Sequence, residues 1–230
     1  MQKICTTLLF DVDDTLLDFH DAEITALAKL FESLNLTLNA EMKKAYHDFN
    51  QGLWKKLELG QITRDHLLNT RFTTFFKEKY GLTVDAKKAS DTYLNSLALS
   101  HKEIDGAHEL LTALKSKGKK LYVISNGVLK IQEKRLKDSG FEALFDDIFI
   151  SEVIGVDKPD KLFFDRVTAK IDGFKAGEAL VVGDSLTSDI LGANNAKLDS
   201  VWFNPKKTAN TTEAEPTYEV TQLKEILDLA

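Results

Sequence analysis

Short apolar runs alternate with helical patterns along most of this chain. The runs are rich in branched side chains and end at Gly, Ser, Asn or Asp, which is typical of buried β-strands. Strands that alternate with helices indicate a parallel, doubly wound sheet. The clearest predicted strands are residues 7–10, 121–125, 148–150, 179–183 and 200–203. The helices predicted to follow them are residues 128–139, 161–170, 185–196 and 223–229.

One stretch, residues 21–99, breaks this alternation with helical patterns alone. Asn39 and Thr63 are its predicted N-caps, and Gly60 and Gly81 are its predicted breaks. The four predicted helices are residues 21–34, 40–59, 64–80 and 85–99. Apolar side chains recur at helical spacing along the second of them, which predicts one buried face, as in a four-helix bundle. These side chains are Met42, Tyr46, Phe49, Leu53 and Leu57.

The predicted fold is therefore α/β, a doubly wound parallel sheet with an inserted four-helix domain. The sheet domain would comprise residues 1–16 and 100–230, and the insert residues 17–99. A chain of 230 residues with 43% apolar and 29% charged side chains is long enough for both.

The charge balance excludes one class of partner. Thirty basic and 36 acidic residues give a net charge of −6 and a pI near 5.5, so we expect no nucleic-acid polymer as a partner. The apolar run before Asp11 is too short for a signal-peptide core or a membrane helix. We therefore expect a cytoplasmic protein with no membrane contact.

The cysteine and the histidines indicate no metal site or disulfide. The single Cys5 lies within an apolar run and is predicted to be a small buried hydrophobe. The five histidines show no paired spacing of the kind that zinc ligands have, so zinc chemistry is not expected. They are His20, His47, His66, His101 and His108.

Polar residues directly follow several predicted strands, at the edge where open parallel sheets bind ligands. Two carboxylates about 4 Å apart repel by roughly 4 kcal/mol at an effective dielectric constant near 20. Asp11, Asp13 and Asp184 at one edge would therefore need a compensating cation. Oxygen ligands beside a phosphate favour Mg²⁺ over an enclosed Ca²⁺. The four polar motifs are Asp11-Val12-Asp13-Asp14-Thr15, Ser125-Asn126-Gly127, Lys158-Pro159 and Gly183-Asp184 with Asp189.

In this order, the four motifs resemble those of the haloacid dehalogenase superfamily of phosphohydrolases. The resemblance implies that Asp11 is a nucleophile that forms an aspartyl-phosphate. It implies that Asp13 is the general acid for the leaving alkoxide and then the general base for water. Ser125 and the Asn126 amide would hold a phosphoryl oxygen, and Lys158 would offset the charge between nucleophile and phosphate.

The same resemblance implies the metal site. Asp11, Asp184 and the main-chain carbonyl of Asp13 would bind Mg²⁺, and Asp189 would act indirectly or through water. We expect partial burial and the nearby carboxylates of Asp11 and Asp14 to favour a protonated Asp13, as the acid role requires.

Three stretches narrow the resemblance to the noncanonical pyrimidine 5′-nucleotidases: residues 10–19, segments of 50–72, and 151–159. This implies that the substrate is a small phosphorylated metabolite, a nucleoside monophosphate, and that the enzyme prefers pyrimidines. The helical insert resembles the mobile cap of the family, which closes over substrate and excludes water. Candidate specificity residues are Phe19, Asn50, Trp54 and Arg71. Alternatively, Trp54 fills the bundle core and Arg71 pairs with a surface carboxylate.

Other activities share these motifs. A sugar-phosphate or phosphoglycolate phosphatase is the nearer alternative, and a phosphomutase would also use Asp11 and Asp13. Dehalogenases of the superfamily lack the second acid, so Asp13 argues against that reaction. A binding module that has kept only the fold would be missing a catalytic group, whereas the four motifs here are complete.

Overall fold

The computed structural model of the protein describes residues 5–230. The chain forms two compact units. One comprises Met1–Asp18 and His101–Ala230, and the other comprises Phe19–Ser100. Within the described residues, no helix combines the length and the apolar character that a membrane span requires.

The first unit is built on a parallel sheet. Its six strands within residues 5–230 lie in the order β3-β2-β1-β4-β5-β6, and every neighbouring pair is parallel. The strands are β1 Thr7–Phe10, β2 Lys120–Ser125, β3 Asp147–Ile150, β4 Ala179–Gly183, β5 Asp199–Phe203 and β6 Tyr218–Val220. Since β1 pairs with β2 on one side and β4 on the other, the carboxyl ends of these three strands are adjacent.

Apolar side chains cover both faces of the sheet. Leu8 and Phe10 of β1 pack in one hydrophobic cluster, and Leu9 between them packs in a second cluster on the opposite face. The pleat of a strand sends successive side chains to opposite faces, and a strand covered on both faces is therefore apolar throughout. This explains why β1 is a continuous apolar run. Cys5 is buried in the first cluster, as predicted.

Helices connect the strands of this unit. They are α5 Ala107–Ser116, α6 Leu129–Asp138, α7 Ser151–Ile154, α8 Lys161–Thr168 and α9 Leu191–Asn195. A π-helical segment, Leu186–Ile190, precedes α9, and 3₁₀ turns span Phe141–Leu144, Ala176–Glu178 and Leu223–Asp228. The doubly wound fold is thus confirmed. The segment predicted as the last helix is a 3₁₀ turn, and the sequence patterns missed α5 and β6.

The second unit contains the four predicted helices. They are α1 Phe19–Ser33, α2 Ala40–Glu58, α3 Arg64–Tyr80 and α4 Ala86–Leu97. Asn39 caps α2 by accepting a hydrogen bond from the Met42 amide, and Thr63 caps α3 in the same way. The Tyr46 ring of α2 packs against the rings of Phe72 and Phe75 from α3 and Tyr93 from α4. The second helix therefore buries one face in an aromatic core.

Candidate active site

Polar residues lie at or directly after the carboxyl ends of three adjacent strands. Asp11 follows β1, Ser125 is the last residue of β2, and Asp184 follows β4. The Asp11 amide still donates to the Val182 carbonyl at 2.9 Å, so the ladder between β1 and β4 continues into the first motif. The parallel sheet therefore brings the predicted motifs to one edge.

Lys158 lies at the centre of this edge and its side chain is only 1% exposed. Its ammonium donates to Asp11 Oδ1 and Asp189 Oδ1, each at 2.7 Å, and to the Ile124 carbonyl at 2.9 Å. Burial alone would lower the pKa of Lys158, but the carboxylates of Asp11 and Asp189 outweigh it and raise the pKa above its ordinary value. Lys158 is therefore a fixed positive charge.

Three carboxylates surround this charge. Oxygens of Asp11, Asp184 and Asp189 lie within 4.8 Å of one another. Burial raises the pKa of Asp11 to about 8, against the opposing effect of Lys158. Burial, and then the charges of Asp11 and Asp189, raise the pKa of Asp184 well above its ordinary value. One ammonium does not balance three carboxylates, so the cluster lacks positive charge. The carboxylate oxygens of the cluster are ligands that Mg²⁺ prefers. The residues fit the predicted metal.

Asp189 is held on both of its carboxylate oxygens. Lys158 donates to Oδ1, and the Ser185 amide donates to Oδ2 at 3.1 Å. Gly183 permits this position, because a Cβ there would lie 2.2 Å from Asp189 Oδ2. Asp184, in contrast, accepts a 3.4 Å hydrogen bond from the Thr15 hydroxyl on Oδ1.

The Asp13 carboxylate accepts hydrogen bonds from residues other than Lys158. Gln132 Nε2 donates to Asp13 Oδ2 at 2.7 Å and to Ser125 Oγ at 2.9 Å. Arg135 Nη1 donates to Asp13 Oδ1 and to Gln132 Oε1, the latter at 3.0 Å. Both donors are buried on α6, three residues apart on one helix face. The predicted neighbours of Asp13 were both acidic, whereas the structure also places a cation, Arg135, beside it.

The second motif connects these groups. The Ser125 hydroxyl also accepts a hydrogen bond from the Gly127 amide at 3.0 Å, and a Cβ at Gly127 would lie 2.5 Å from Gln132 Nε2. The Asn126 side chain binds the backbone of Lys158 twice, at 2.9 Å in each direction. The Asn126 side chain therefore positions Lys158.

The family model of the haloacid dehalogenase-like hydrolases matches residues 5–197. The chain belongs to this family. Its match covers the motifs of the sheet unit and the whole helical unit, which identifies the four-helix unit as the cap of a haloacid dehalogenase-like hydrolase.

Relatives of this hydrolase are similar over nearly their whole length. HAD-hydrolase YfnB of Bacillus subtilis is 46% identical over 220 residues, covering 96% of this chain and 93% of its own. Pyrimidine 5′-nucleotidases PynA of Streptococcus pneumoniae and YjjG of Escherichia coli are 41% and 32% identical, each over 96% of this chain and over 93% and 96% of their own. A crystal structure of YfnB bound to magnesium is 45% identical, covers 99% of both chains and has a TM-score of 0.93.

Two of the candidate specificity residues lie on α2 of the cap. Asn50 is completely buried, and its Nδ2 donates to Glu23 Oε1 at 2.9 Å. Trp54 is half-buried, with the guanidinium carbon of Arg64 5.7 Å from the centre of its ring. Although they are one helical turn apart, only Trp54 has an accessible face.

The other two candidates also differ in exposure. Phe19 begins α1 and is half-buried. Arg71 is 3% exposed, with its guanidinium carbon 4.7 Å from the ring centres of both Phe72 and Tyr93. The alternative prediction, a surface ion pair for Arg71, is therefore wrong, because the guanidinium is buried beside two aromatic rings.

The structure brings together two histidines that lie far apart in the sequence. One nitrogen each of His20 and His47 and one carboxylate oxygen of Glu23 lie within 4.8 Å of one another. Spacing along the chain does not indicate this group, since His20 is on α1 and His47 is on α2. Contact between two helices, rather than a local motif, brings the three side chains together.

Proposed function

We propose that this hydrolase is a Mg²⁺-dependent phosphomonoesterase that cleaves nucleoside monophosphates and prefers pyrimidines. The observation that carries this proposal is the division of labour between two carboxylates. Asp11 is held by Lys158, whereas Asp13, two residues later, is held by Arg135 and Gln132. A nucleophile and a separate proton carrier are what two-step ester hydrolysis requires. The pyrimidine 5′-nucleotidases among the relatives support the substrate class.

In the first step, a carboxylate oxygen of Asp11 attacks phosphorus. An Asp11 O–P bond forms, the bond from phosphorus to the ester oxygen breaks, and Asp13 gives its proton to the departing alkoxide. Lys158 fixes the orientation of the Asp11 carboxylate and reduces the repulsion between this carboxylate and the phosphate. Ser125 Oγ and the Asn126 backbone amide hold a phosphoryl oxygen.

In the second step, water attacks the phosphorus of the aspartyl-phosphate. Asp13, now a carboxylate, takes a proton from this water, and inorganic phosphate leaves with Asp11 regenerated. The Asp13 side chain is 28% exposed, which gives it the access to water that this second step requires. Gln132 links Asp13 to Ser125, so the proton carrier and the phosphate-binding hydroxyl share one support.

Asp11, Asp184 and the Asp13 carbonyl are the groups we propose for Mg²⁺. The ion would supply positive charge that allows a carboxylate nucleophile to approach a phosphate dianion. We propose an indirect role for Asp189, whose Oδ1 accepts a hydrogen bond from Lys158 and whose Oδ2 accepts one from the Ser185 amide. The Asp189 carboxylate orients the lysine that contacts Asp11.

In the cap, Phe19 and Trp54 are proposed to contact the base, since each keeps part of its ring accessible. Asn50 and Arg71 are proposed to act on specificity by positioning, because both are buried within contacts of the cap itself. Aromatic rings stack on bases, and buried polar groups fix the helices that carry those rings.

The decisive experiment measures phosphate release from a substrate panel with Mg²⁺. The panel contains UMP, CMP, dTMP, AMP and GMP, together with sugar phosphates and phosphoglycolate. Pyrimidine nucleotides should have the highest kcat/KM, and Asp11→Asn should abolish turnover. Equal rates across the panel, or faster sugar-phosphate cleavage, would reject the nucleotidase assignment. Transfer of phosphate to another position of the substrate without release would identify a mutase.

A further inference from the structure

The group of His20, Glu23 and His47 lies entirely within the cap unit. His20 and Glu23 are three residues apart on α1 and therefore share a helix face. His47 and Asn50 are likewise three residues apart on α2. The rings of His20 and His47 meet edge to face with their centres 5.3 Å apart. Two helix faces thus present a matched set of polar side chains to each other.

Glu23 is the anchor of this group. Its side chain is 3% exposed, although a carboxylate is rarely buried unless it is paired. Asn50 Nδ2 donates to Oε1 at 2.9 Å, and His47 Nδ1 lies 2.6 Å from Oε2. Asn50 thereby fixes the carboxylate with Oε2 directed towards the His47 imidazole. Metal-binding carboxylates are commonly oriented by such an outer hydrogen bond.

We propose that His20, Glu23 and His47 bind a transition-metal ion, Zn²⁺ or a divalent cation of similar chemistry. Two imidazoles and one carboxylate are a ligand set that zinc sites use, with a fourth position for water. Mg²⁺ instead requires oxygen ligands. The chain would therefore hold two cation sites of different preference, the aspartate cluster of the sheet unit and this one.

The ligand positions need little adjustment. Ligand atoms about 2.1 Å from a tetrahedral zinc ion are about 3.4 Å from each other. The three donor atoms already lie within 4.8 Å, and the His47 and Glu23 atoms at 2.6 Å would separate by roughly 0.8 Å. The ion would replace the hydrogen atom between this imidazole and the carboxylate. His20 is exposed, so the ion can enter from solvent.

The test is Zn²⁺ titration of chelator-treated, dialysed protein by calorimetry, with millimolar Mg²⁺ present throughout to occupy oxygen-only sites. We expect one Zn²⁺ per chain and a raised thermal midpoint. His20→Ala should weaken Zn²⁺ binding at least about tenfold while keeping the His47–Glu23 contact. His66→Ala, at an exposed histidine of α3, is the matched control and should bind as the wild type does.

A second readout identifies the ligands. Co²⁺ in place of Zn²⁺ should give the visible absorption of a tetrahedral site in the wild type and in His66→Ala, and lose it in His20→Ala. Should His20→Ala lower the metal-free thermal midpoint, His20→Gln replaces it in the same titration. Absence of saturable Zn²⁺ binding, or equal affinity in the His20 and His66 variants, would overturn the proposal. Because every readout is metal binding, the result is independent of the proposed phosphatase activity.

Discussion

At the scale of single residues, Lys158 shows how a buried charge is tolerated. Its ammonium is enclosed by Asp11, Asp189 and the Ile124 carbonyl, which together occupy its three donors. Removing one partner of a buried ion pair leaves the other charge uncompensated, and this usually costs more than the pair itself contributes. We therefore expect Lys158 to affect both the stability of the fold and the proposed reaction.

Lys158→Met tests both effects. In chelator, the free energy of unfolding should fall by about 3 kcal/mol, because two buried carboxylates lose their counter-charge. With Mg²⁺, kcat/KM for UMP should fall about a hundred- to a thousandfold, as is typical when a group that stabilises transition-state charge is removed. Urea denaturation and phosphate release measure the two quantities. Lys161→Met, which removes an exposed ion pair with Asp165, should change neither.

Arg135 is the residue whose role the structure alone revealed, and we predict that it positions Asp13. Arg135→Met should lower kcat for UMP about 10- to 100-fold with little change in KM, because Asp13 loses an orienting donor. The loss should be much smaller for an aryl phosphate, whose leaving group needs no proton. Asp13→Asn should show the same dependence on the leaving group.

The control for Arg135 is its exposed neighbour on α6, and Lys134→Met should retain wild-type rates. Arg135→Lys should restore part of kcat, since it keeps the charge. If Arg135→Met slowed alkyl and aryl phosphates equally, Arg135 would have a general structural role and no specific effect on proton transfer.

At the scale of elements, two glycines near the strand ends allow polar side chains to approach the backbone closely. The turn after β4 brings the Asp189 side chain against Gly183, and the turn after β2 brings the Gln132 side chain against Gly127. In both places a polar side chain of the following helical segment packs against the strand end. The strand-to-helix connections therefore determine which carboxylate faces which donor.

Gly183→Ala should consequently damage the site. A Cβ 2.2 Å from Asp189 Oδ2 forces the carboxylate away from Lys158 and the Ser185 amide. We expect a loss of about 2 kcal/mol in the free energy of unfolding, typical of overpacking, together with a large loss of activity. Gly177→Ala is the matched control, since nothing lies within 4 Å of its added Cβ. Equal stability of the two variants would show that the turn adjusts without cost.

In the cap, α2 carries the proposed base contact. Trp54→Ala should raise KM for UMP roughly tenfold, since stacking of an aromatic ring on a base contributes about 1–3 kcal/mol. The thermal midpoint should change little, because Trp54 is only half-buried. Trp54→Phe should retain most of the affinity. An unchanged KM together with a lower thermal midpoint would instead assign Trp54 to the packing of the bundle.

At the scale of the whole molecule, the net charge of −6 raises the question of how an anionic substrate binds. The answer proposed here is local, since Lys158 and a bound Mg²⁺ would reverse the sign of the potential at the sheet edge. The overall acidity would then disfavour polyanions, while a single phosphate would still bind at this edge.

Metal removal tests this balance. Excess chelator should reduce phosphate release from UMP at least about a hundredfold, because the carboxylate nucleophile then faces the phosphate without a divalent cation. Added Mg²⁺ in zinc-free buffer should restore the rate, which separates the aspartate cluster from the histidine group of the cap. Activity that survives chelation would contradict the proposed mechanism.

Much of the fold is predictable from local sequence. The apolar runs 7–10 and 179–183 are the observed strands β1 and β4, and the pattern over 64–80 is the observed α3. These predictions succeed because the spacing of apolar side chains that marks a strand or a helix is a property of consecutive residues. Strand β6, with two of its three residues exposed, gave too weak an apolar signal. Parallel strands also place their ends at one edge, so the convergence of Asp11, Ser125 and Asp184 followed from the same pattern.

Tertiary structure decided the partners of each polar group. Asp13 meets Gln132 and Arg135 only because α6 packs its polar face against the end of β1. His20 and His47 come together only because α1 and α2 are in contact. Spacing along the chain determines which residues share a face, whereas pairing between faces depends on how distant segments pack. The sequence by itself thus determined the sheet, the cap helices and the sheet edge at which the polar motifs meet. The packing of helices determined the environment of Asp13, the burial of Arg71 and the grouping of His20 with His47.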